Sequence, residues 1–360
     1  MWRLKRYICL VGLLALLAAA LTGCGFSDDS VEELFTLPRM AEEYTGLTQE
    51  LEALITQGYE YASPTGGRNI QSVQMADLDG DGQQEALAFF RMSSDEKPLK
   101  IFVFKIEGDS YARYCTIESS GTAIDSVYYQ DLNGDGRREL IVGWRISAEV
   151  QTVAVYTVAR EPVALMSSGY TRFTIQDLNG DGIPSLLVLR TDADSQPVAE
   201  FYGWQDEQMG VAYRCVLSST MASVNRGSLV SGRLDADTPA LYITGVDEQG
   251  MAATDILVFR QDLGLVNLAL SGSSTGVSNA VFPYRQLLPQ DINGDGIIEL
   301  PSPDTSWTAE QTDGLVSWLC CNGDGQLSTV AKTYHSLSCG WYFTIPESWW
   351  DWSVETVTTS

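Results

Sequence analysis

Four segments of this chain repeat nearly the same eleven residues, and the side chains they repeat are oxygen donors. They run Asp77-Leu-Asp-Gly-Asp-Gly-Gln-Gln-Glu85-Ala-Leu87, Asp131-Leu-Asn-Gly-Asp-Gly-Arg-Arg-Glu139-Leu-Ile141, Asp177-Leu-Asn-Gly-Asp-Gly-Ile-Pro-Ser185-Leu-Leu187 and Asp291-Ile-Asn-Gly-Asp-Gly-Ile-Ile-Glu299-Leu-Pro301. Carboxylates or amides at positions 1, 3 and 5 converge on one point when the backbone turns tightly. These are Asp77, Asp79 and Asp81; Asp131, Asn133 and Asp135; Asp177, Asn179 and Asp181; and Asp291, Asn293 and Asp295. Glycine at position 6 supplies the positive φ such a turn needs. Oxygen-only ligands at this density suit a hard divalent cation, calcium first of all. A single loop of this kind reads equally well as an Asx/Gly turn without metal. Four with shared ligand spacing favour the metal.

The elements around the loops must be strands. An EF-hand or dockerin loop shares the opening Asp-x-Asn-x-Asp-Gly but needs an acid at position 12 and a helix after it. Position 12 here is Ala88, Val142, Val188 or Ser302, and three copies carry an acid at position 9 instead: Glu85, Glu139 and Glu299. The residues that follow, Ala86–Phe90, Leu140–Trp144 and Leu186–Leu189, are short apolar runs bounded by turn signals. They read as buried strands, so each loop joins two strands.

Asp-x-Asn-Gly-Asp-Gly-x-x-Glu-Leu followed by an apolar strand resembles the FG-GAP/VCBS repeat family, the calcium-loop repeats of integrin-α-type β-propellers and many bacterial surface proteins. The resemblance covers roughly residues 70–300 and is carried by the loops and their flanking strands. It implies side-chain ligands at positions 1, 3, 5 and 9. It also implies a main-chain carbonyl ligand at position 7, which is Gln83, Arg137, Ile183 or Ile297. It further implies a scaffold for recognition, seldom a catalyst.

The loop starts lie 54, 46 and 114 residues apart. The long gap holds room for a further copy, and Ser231-Gly-Arg-Leu-Asp-Ala-Asp237 followed by Thr-Pro-Ala-Leu-Tyr-Ile243 sits where it should. It has lost both loop glycines and reads as a degenerate repeat without metal. A period near 50 with many short strands marks propeller blades or similar arrays. The second repeat is expected to form strands at 126–130, 139–144, 151–158 and 162–167. The expectation is an all-β protein: a β-propeller-like array of about five four-stranded repeats over 70–340, preceded by a helix within 31–69. Six or seven blades, or an array that does not close, are the alternatives. Asn322-Gly-Asp-Gly325 lacks the earlier Asp and later Glu and reads as a hairpin turn.

Residues 1–23 read as an export signal. Arg3, Lys5 and Arg6 precede an apolar stretch from Ile8 to Leu21 that is short for a bilayer span. It ends in Leu21-Thr-Gly-Cys24, which resembles the lipobox of bacterial lipoproteins and implies lipidation of Cys24. Residues 24–30 form a polar tether. Three- and four-residue apolar spacing across 40–55 predicts an amphipathic helix packed on the first blade.

The formal charge is −25, and losing Arg3, Lys5 and Arg6 with the leader takes it to −28. That argues against nucleic acid as a partner. Beyond Cys9 and Cys24 there are five cysteines, an odd number that does not suggest a disulfide framework. Most of them read as buried small apolar residues, with a bridge from Cys320 or Cys321 to Cys339 as the alternative. The single histidine, His335, sits near no recognisable nucleophile motif and reads as a surface or packing residue. Six aromatics between Gly340 and Trp352 are expected to form a strand and turn packed on the last blade, or the opening of a further domain over 341–360. Sugar stacking by exposed tryptophans is the rival reading.

Together these features predict a calcium-binding, lipid-anchored repeat protein on the outer face of a bacterial cytoplasmic membrane. It would act as a binding or scaffold module for a protein or glycan. A calcium-dependent carbohydrate-active hydrolase or lyase is the alternative; it would have to work with acids, Tyr and Lys.

Overall fold

The computed structural model describes residues 44–248, 250, 252–268, 287–303 and 313–351. The export signal, Cys24, the tether and the start of the helical segment lie outside the described residues. So does the end of the aromatic stretch.

Five antiparallel sheets follow one another along the chain. The first contains β1 (Glu60–Tyr61), β2 (Val73–Ala76), β3 (Glu85–Arg91), β4 (Leu99–Glu107) and β5 (Ser110–Ser119). The second contains β6 (Ala123–Gln130), β7 (Glu139–Arg145), β8 (Gln151–Tyr156) and β9 (Ala164–Gly169). The third contains β10 (Arg172–Gln176), β11 (Ser185–Thr191), β12 (Pro197–Gln205) and β13 (Gln208–Val216). The fourth contains β14 (Leu229–Arg233), β15 (Pro239–Val246), β16 (Ala252–Arg260) and β17 (Gly264–Asn267). The fifth contains β18 (Leu300–Pro303), β19 (Asp313–Cys321), β20 (Leu327–Ser336) and β21 (Trp341–Thr344). Each is a meander of neighbouring strands, with the two-residue β1 added beside β2 on β3. A β-bulge recurs between β4 and β5, β8 and β9, β12 and β13, and β19 and β20.

The apolar runs after the loops become strands because both of their faces are covered. Along β3, Leu87 and Phe89 pack toward the second sheet, while Ala86, Ala88 and Phe90 pack under a helix. Along β7, Leu140, Val142 and Trp144 face the first sheet and Ile141 faces the third. In β11, Leu186 and Val188 face the second sheet; Leu187 and Leu189 face the fourth. In β15, Leu241 and Ile243 face the third sheet, and Ala240 and Tyr242 face the fifth. Period-2 alternation therefore builds a face-to-face stack with one apolar layer between each pair of neighbours.

The one α-helix among the described residues, α1 (Thr45–Thr56), buries Leu47, Leu51 and Leu54 on the first sheet's outer face, against Phe90, Phe102 and Phe104. On the far side, Val316, Trp318 and Ala331 of the fifth sheet pack with Leu287, Ile292 and Leu337. Among the described residues no apolar cluster joins the fifth sheet to the first.

Two expectations change. Cys115, Cys215, Cys320, Cys321 and Cys339 are all free thiols, so no bridge to Cys339 forms. Cys321 is buried and Cys320 half-buried, while Cys339 is exposed. The aromatic stretch does continue the fifth sheet, since β21 pairs with β20. Its rings are not core, however: Trp341, Tyr342 and Phe343 are each about half exposed (50, 51 and 51 %). As an edge strand, β21 has a partner on one side only.

His335 is buried in β20. Its Nε2 lies 2.7 Å from the Thr333 hydroxyl, which also accepts the Trp318 indole N–H at 2.7 Å. Its ring stacks on Tyr342 at 5.2 Å. Burial pushes its pKa down.

Candidate metal centres

The four loops fold alike. Each joins the first and second strands of its repeat: β2 to β3, β6 to β7, β10 to β11, and in the fifth sheet Gln290, bridged to Glu299, to β18. The degenerate copy occupies the same place between β14 and β15. There Asp235 accepts from the N–H groups of Asp237 and Thr238. Asn322-Gly-Asp-Gly325 instead closes the β19–β20 hairpin.

In each loop the position-1 carboxylate accepts backbone N–H groups from the glycines at positions 4 and 6. The pairs are Gly80 and Gly82 on Asp77, Gly134 and Gly136 on Asp131, Gly180 and Gly182 on Asp177, and Gly294 and Gly296 on Asp291. Position-4 and position-6 glycines both have φ between 73° and 87°. The second requirement, at position 4, is one that the ligand pattern alone did not reveal. The position-5 carboxylate accepts from the position-7 N–H: Gln83, Arg137, Ile183 and Ile297 each donate, at 2.7–2.8 Å.

Glu at position 9 is the buried member. Glu85, Glu139 and Glu299 are 2, 5 and 1 % exposed, and each accepts the position-2 N–H, from Leu78, Leu132 and Ile292. Burial raises all three pKa values, Glu139 to about 7, with Asp135 and Asp131 adding to the rise. Burial also opposes the charge on Asp131, but N–H groups from Gly136, Gly134 and Asn133 outweigh it and hold the pKa down. The third loop has Ser185 in this place and so lacks the clamp.

Neighbouring loops touch. Arg138 N–H of the second loop donates to the Leu78 carbonyl of the first at 2.7 Å, and Trp204 Nε1 of β12 in the third sheet to the Leu132 carbonyl of the second loop at 2.7 Å. A Cβ on Gly134 would meet Ile183 at 2.7 Å, and one on Gly80 would meet the Gly136 carbonyl at 2.6 Å. The first three loops therefore line up along one side of the stack.

What sits among the oxygens differs. In loops two, three and four the position-3 asparagine amide donates to the position-5 carboxylate: Asn133 to Asp135, Asn179 to Asp181, Asn293 to Asp295. In the first loop Lys105 of β4 ion-pairs with Asp79 and lies 3.6 Å from Glu85. Its hydrogen bond holds the Asp79 pKa down. Lys105 escaped a reading of the loops because it lies one residue past the β3–β4 register, opposite Glu85. The equivalent positions are Thr157, Gly203 and Cys320.

In the first loop the donors fit a hard cation. Asp77, Asp79 and Glu85 bring one carboxylate oxygen each within 4.8 Å of one another. Two position-3 oxygens, Asp79 Oδ1 and Asn179 Oδ1, are buried without a hydrogen-bond partner. A bound divalent ion would answer both the like-charge crowding and the orphaned oxygens.

No family model and no curated protein matches the chain. Among solved structures, a Bacillus licheniformis rhamnogalacturonan lyase PL11 is similar over 76 % of this chain and 51 % of its own, with 15 % identity and a TM-score of 0.39. The exotype rhamnogalacturonan lyase YesX matches over 76 % of this chain and 65 % of its own, at 14 % identity and TM-score 0.31. A hypothetical protein from Leishmania major matches over 81 % and 91 %, at 12 % identity and TM-score 0.28. This chain thus spans about half to two-thirds of the two lyases' length.

Proposed function

We propose that this chain is a calcium-binding repeat protein of the FG-GAP/VCBS kind, held at the outer face of a bacterial cytoplasmic membrane by lipid on Cys24. It serves there as a binding or scaffold module. The carrying observation is the shared loop geometry: four oxygen-donor turns with one hydrogen-bond pattern, three of them with a buried glutamate. Asp77, Asp79, Asp81 and Glu85 would hold one ion; Asp131, Asn133, Asp135 and Glu139 a second; Asp291, Asn293, Asp295 and Glu299 a third. Asp177, Asn179 and Asp181 would hold the weakest. Calcium neutralises the crowded carboxylates and stiffens the strand junctions.

The sheets make a propeller-like array. The packing of α1 on the first sheet, where a closing blade would otherwise lie, supports an open arc over a closed ring.

Binding is favoured over hydrolysis by how the buried acids outside the loops are used. Both carboxylate oxygens of Glu200 accept from Arg190, one from Nε and one from Nη2. Asp255 accepts from Ser218, Ser219 and Asn267. Asp125 accepts from Arg145, Tyr170 and Arg226. Acids consumed in this way are poor proton shuttles.

Calorimetry of the detergent-solubilised full chain tests the calcium reading, with affinities of about 10⁻⁴–10⁻³ M expected of an extracellular module. Absence of heat at millimolar calcium refutes it. The anchor is tested by detergent-phase partitioning: Cys24→Ser should abolish lipid attachment, whereas Cys9→Ser should change nothing.

A further inference from the structure

The calcium loops leave one built feature of the molecule unused. A cavity of about 620 Å³ lies where the first strands of the second, third and fourth sheets, β6, β10 and β14, meet residues 65–69. That segment is fastened along β6: Thr65 N–H donates to the Ile124 carbonyl at 2.9 Å and Asn69 Nδ2 to the Val127 carbonyl at 3.1 Å. The volume is that of a small-ligand site.

Its charge runs against that of the chain. In a protein of formal charge −25, the lining carries Arg68, Arg172 and Arg226 with one carboxylate, Asp125. Asp125 is already engaged. Arg226 reaches one of its oxygens at 3.0 Å, Arg145 the other at 3.2 Å, and the Tyr170 hydroxyl adds a third bond. It therefore positions cations and a phenol and leaves the cavity net positive. Two buried polar groups on the wall lack partners, Arg172 Nε and the hydroxyl of Ser126, itself 1 % exposed. The space is kept clear by glycine. A Cβ on Gly66 would strike the Arg226 guanidinium at 2.7 Å, and one on Gly143 would strike the Tyr170 hydroxyl at 2.7 Å and Ser126 Oγ at 2.8 Å. Beside the arginines stand half-buried rings, Tyr128 and Tyr170, each packed edge-on to Phe173.

Guanidinium groups recognise carboxylates through paired N–H bonds. Hydroxyl and amide groups suit sugar hydroxyls, and aromatic rings suit the apolar face of a pyranose. We propose that this cavity binds an acidic saccharide, a hexuronate unit whose carboxylate meets Arg68, Arg172 and Arg226 while its ring lies against Tyr128 and Tyr170. This gives the binding role proposed above its ligand class, and it rests on that role but not on calcium or the anchor.

The test is titration of the full chain, in detergent and calcium, with trimers of galacturonate, glucuronate and mannuronate. The corresponding neutral trimers and an acidic tripeptide serve as comparisons. At least one uronate trimer should bind saturably and at least tenfold more tightly than its neutral counterpart. Binding should weaken as salt rises. Arg172→Gln should lower affinity tenfold or more, and so should Arg68→Gln, an exposed position whose change spares the fold. Both variants should keep the wild-type melting temperature and calcium isotherm. Equal binding of neutral sugars, preference for the peptide, or wild-type affinity in both arginine variants would overturn the proposal. So would failure of every uronate in protein that still takes up calcium. Uronate binding by protein that takes up none would uphold the cavity and sink the calcium reading instead.

Discussion

The first and second loops carry nearly the same letters and hold different electrostatics. The first has four carboxylates, the second three. By ligand count the first should be the stronger cation site. Yet Lys105 crosses from β4 to Asp79 and Glu85, while the equivalent strand position beside Glu139 is Thr157. One ammonium thus offsets the extra acid. Burial raises the Glu139 pKa to about 7, and Asp135 and Asp131 add to the rise with no lysine to oppose them. A ligand list read along the chain measures a site's donors. The residue across the sheet decides what a cation must displace.

The largest effect expected from this comparison is on folding. A ligand bound only by the native state stabilises it by about 2.7 kcal/mol per site at hundredfold excess over Kd. Chelation should therefore lower the melting temperature clearly, and an unchanged melting curve would make all four loops plain turns. Next in size is the loss of single sites. Asp131→Ala and Asp291→Ala should each remove a well-populated calcium equivalent in calorimetry, and Asp177→Ala the weakest one. Tightest binding lost with Asp177→Ala would reverse the ranking that position 9 implies.

Lys105→Gln sharpens the comparison directly. Removing a cation a few ångströms from the site should tighten calcium at the first loop roughly tenfold, about 1.4 kcal/mol. Thr157→Lys should weaken the second loop by a similar factor. If neither substitution moves the isotherm, the lysine is an ornament of the metal-free loop. The smallest effect lies outside the loops and serves as a control for acid. Burial depresses the His335 pKa, so the fold favours neutral imidazole. Its stabilising share is complete above the unfolded value of about 6.5 and is lost as pH falls through the lower folded value. His335→Phe should therefore flatten the acid limb of the melting profile slightly. An identical limb in the variant would show that His335 contributes nothing to it.

Much of the array could be read from the residues, because strand burial and loop chemistry are both local signals. Ala86–Phe90 and Leu140–Trp144 declared buried strands, and Ser231–Asp237 declared a worn repeat through its spacing alone. The expected strand at 126–130 begins three residues earlier in the structure, at Ala123, because β6 continues past a bulge near Asp125. What could not be read depends on pairing across the sheet or between sheets. Lys105 looks like any strand lysine until β4 is set in register with β3. The cavity draws on Arg68, Asp125, Arg172 and Arg226, which share no motif and meet only because three strand edges converge. The half-exposed rings of β21 misled because aromatic residues usually mark a core, and an edge strand escapes that rule.

The packing of each sheet against its immediate neighbours has a consequence for cooperativity. A chain built in this manner behaves as a row of coupled units, its stability a sum of unit terms and nearest-neighbour interfaces. Damage then spreads by distance along the row. A cavity cut into the Trp318 layer of the fifth sheet should loosen that sheet first and the α1-capped sheet last. Amide exchange would record the loss as a gradient running from one end of the molecule to the other.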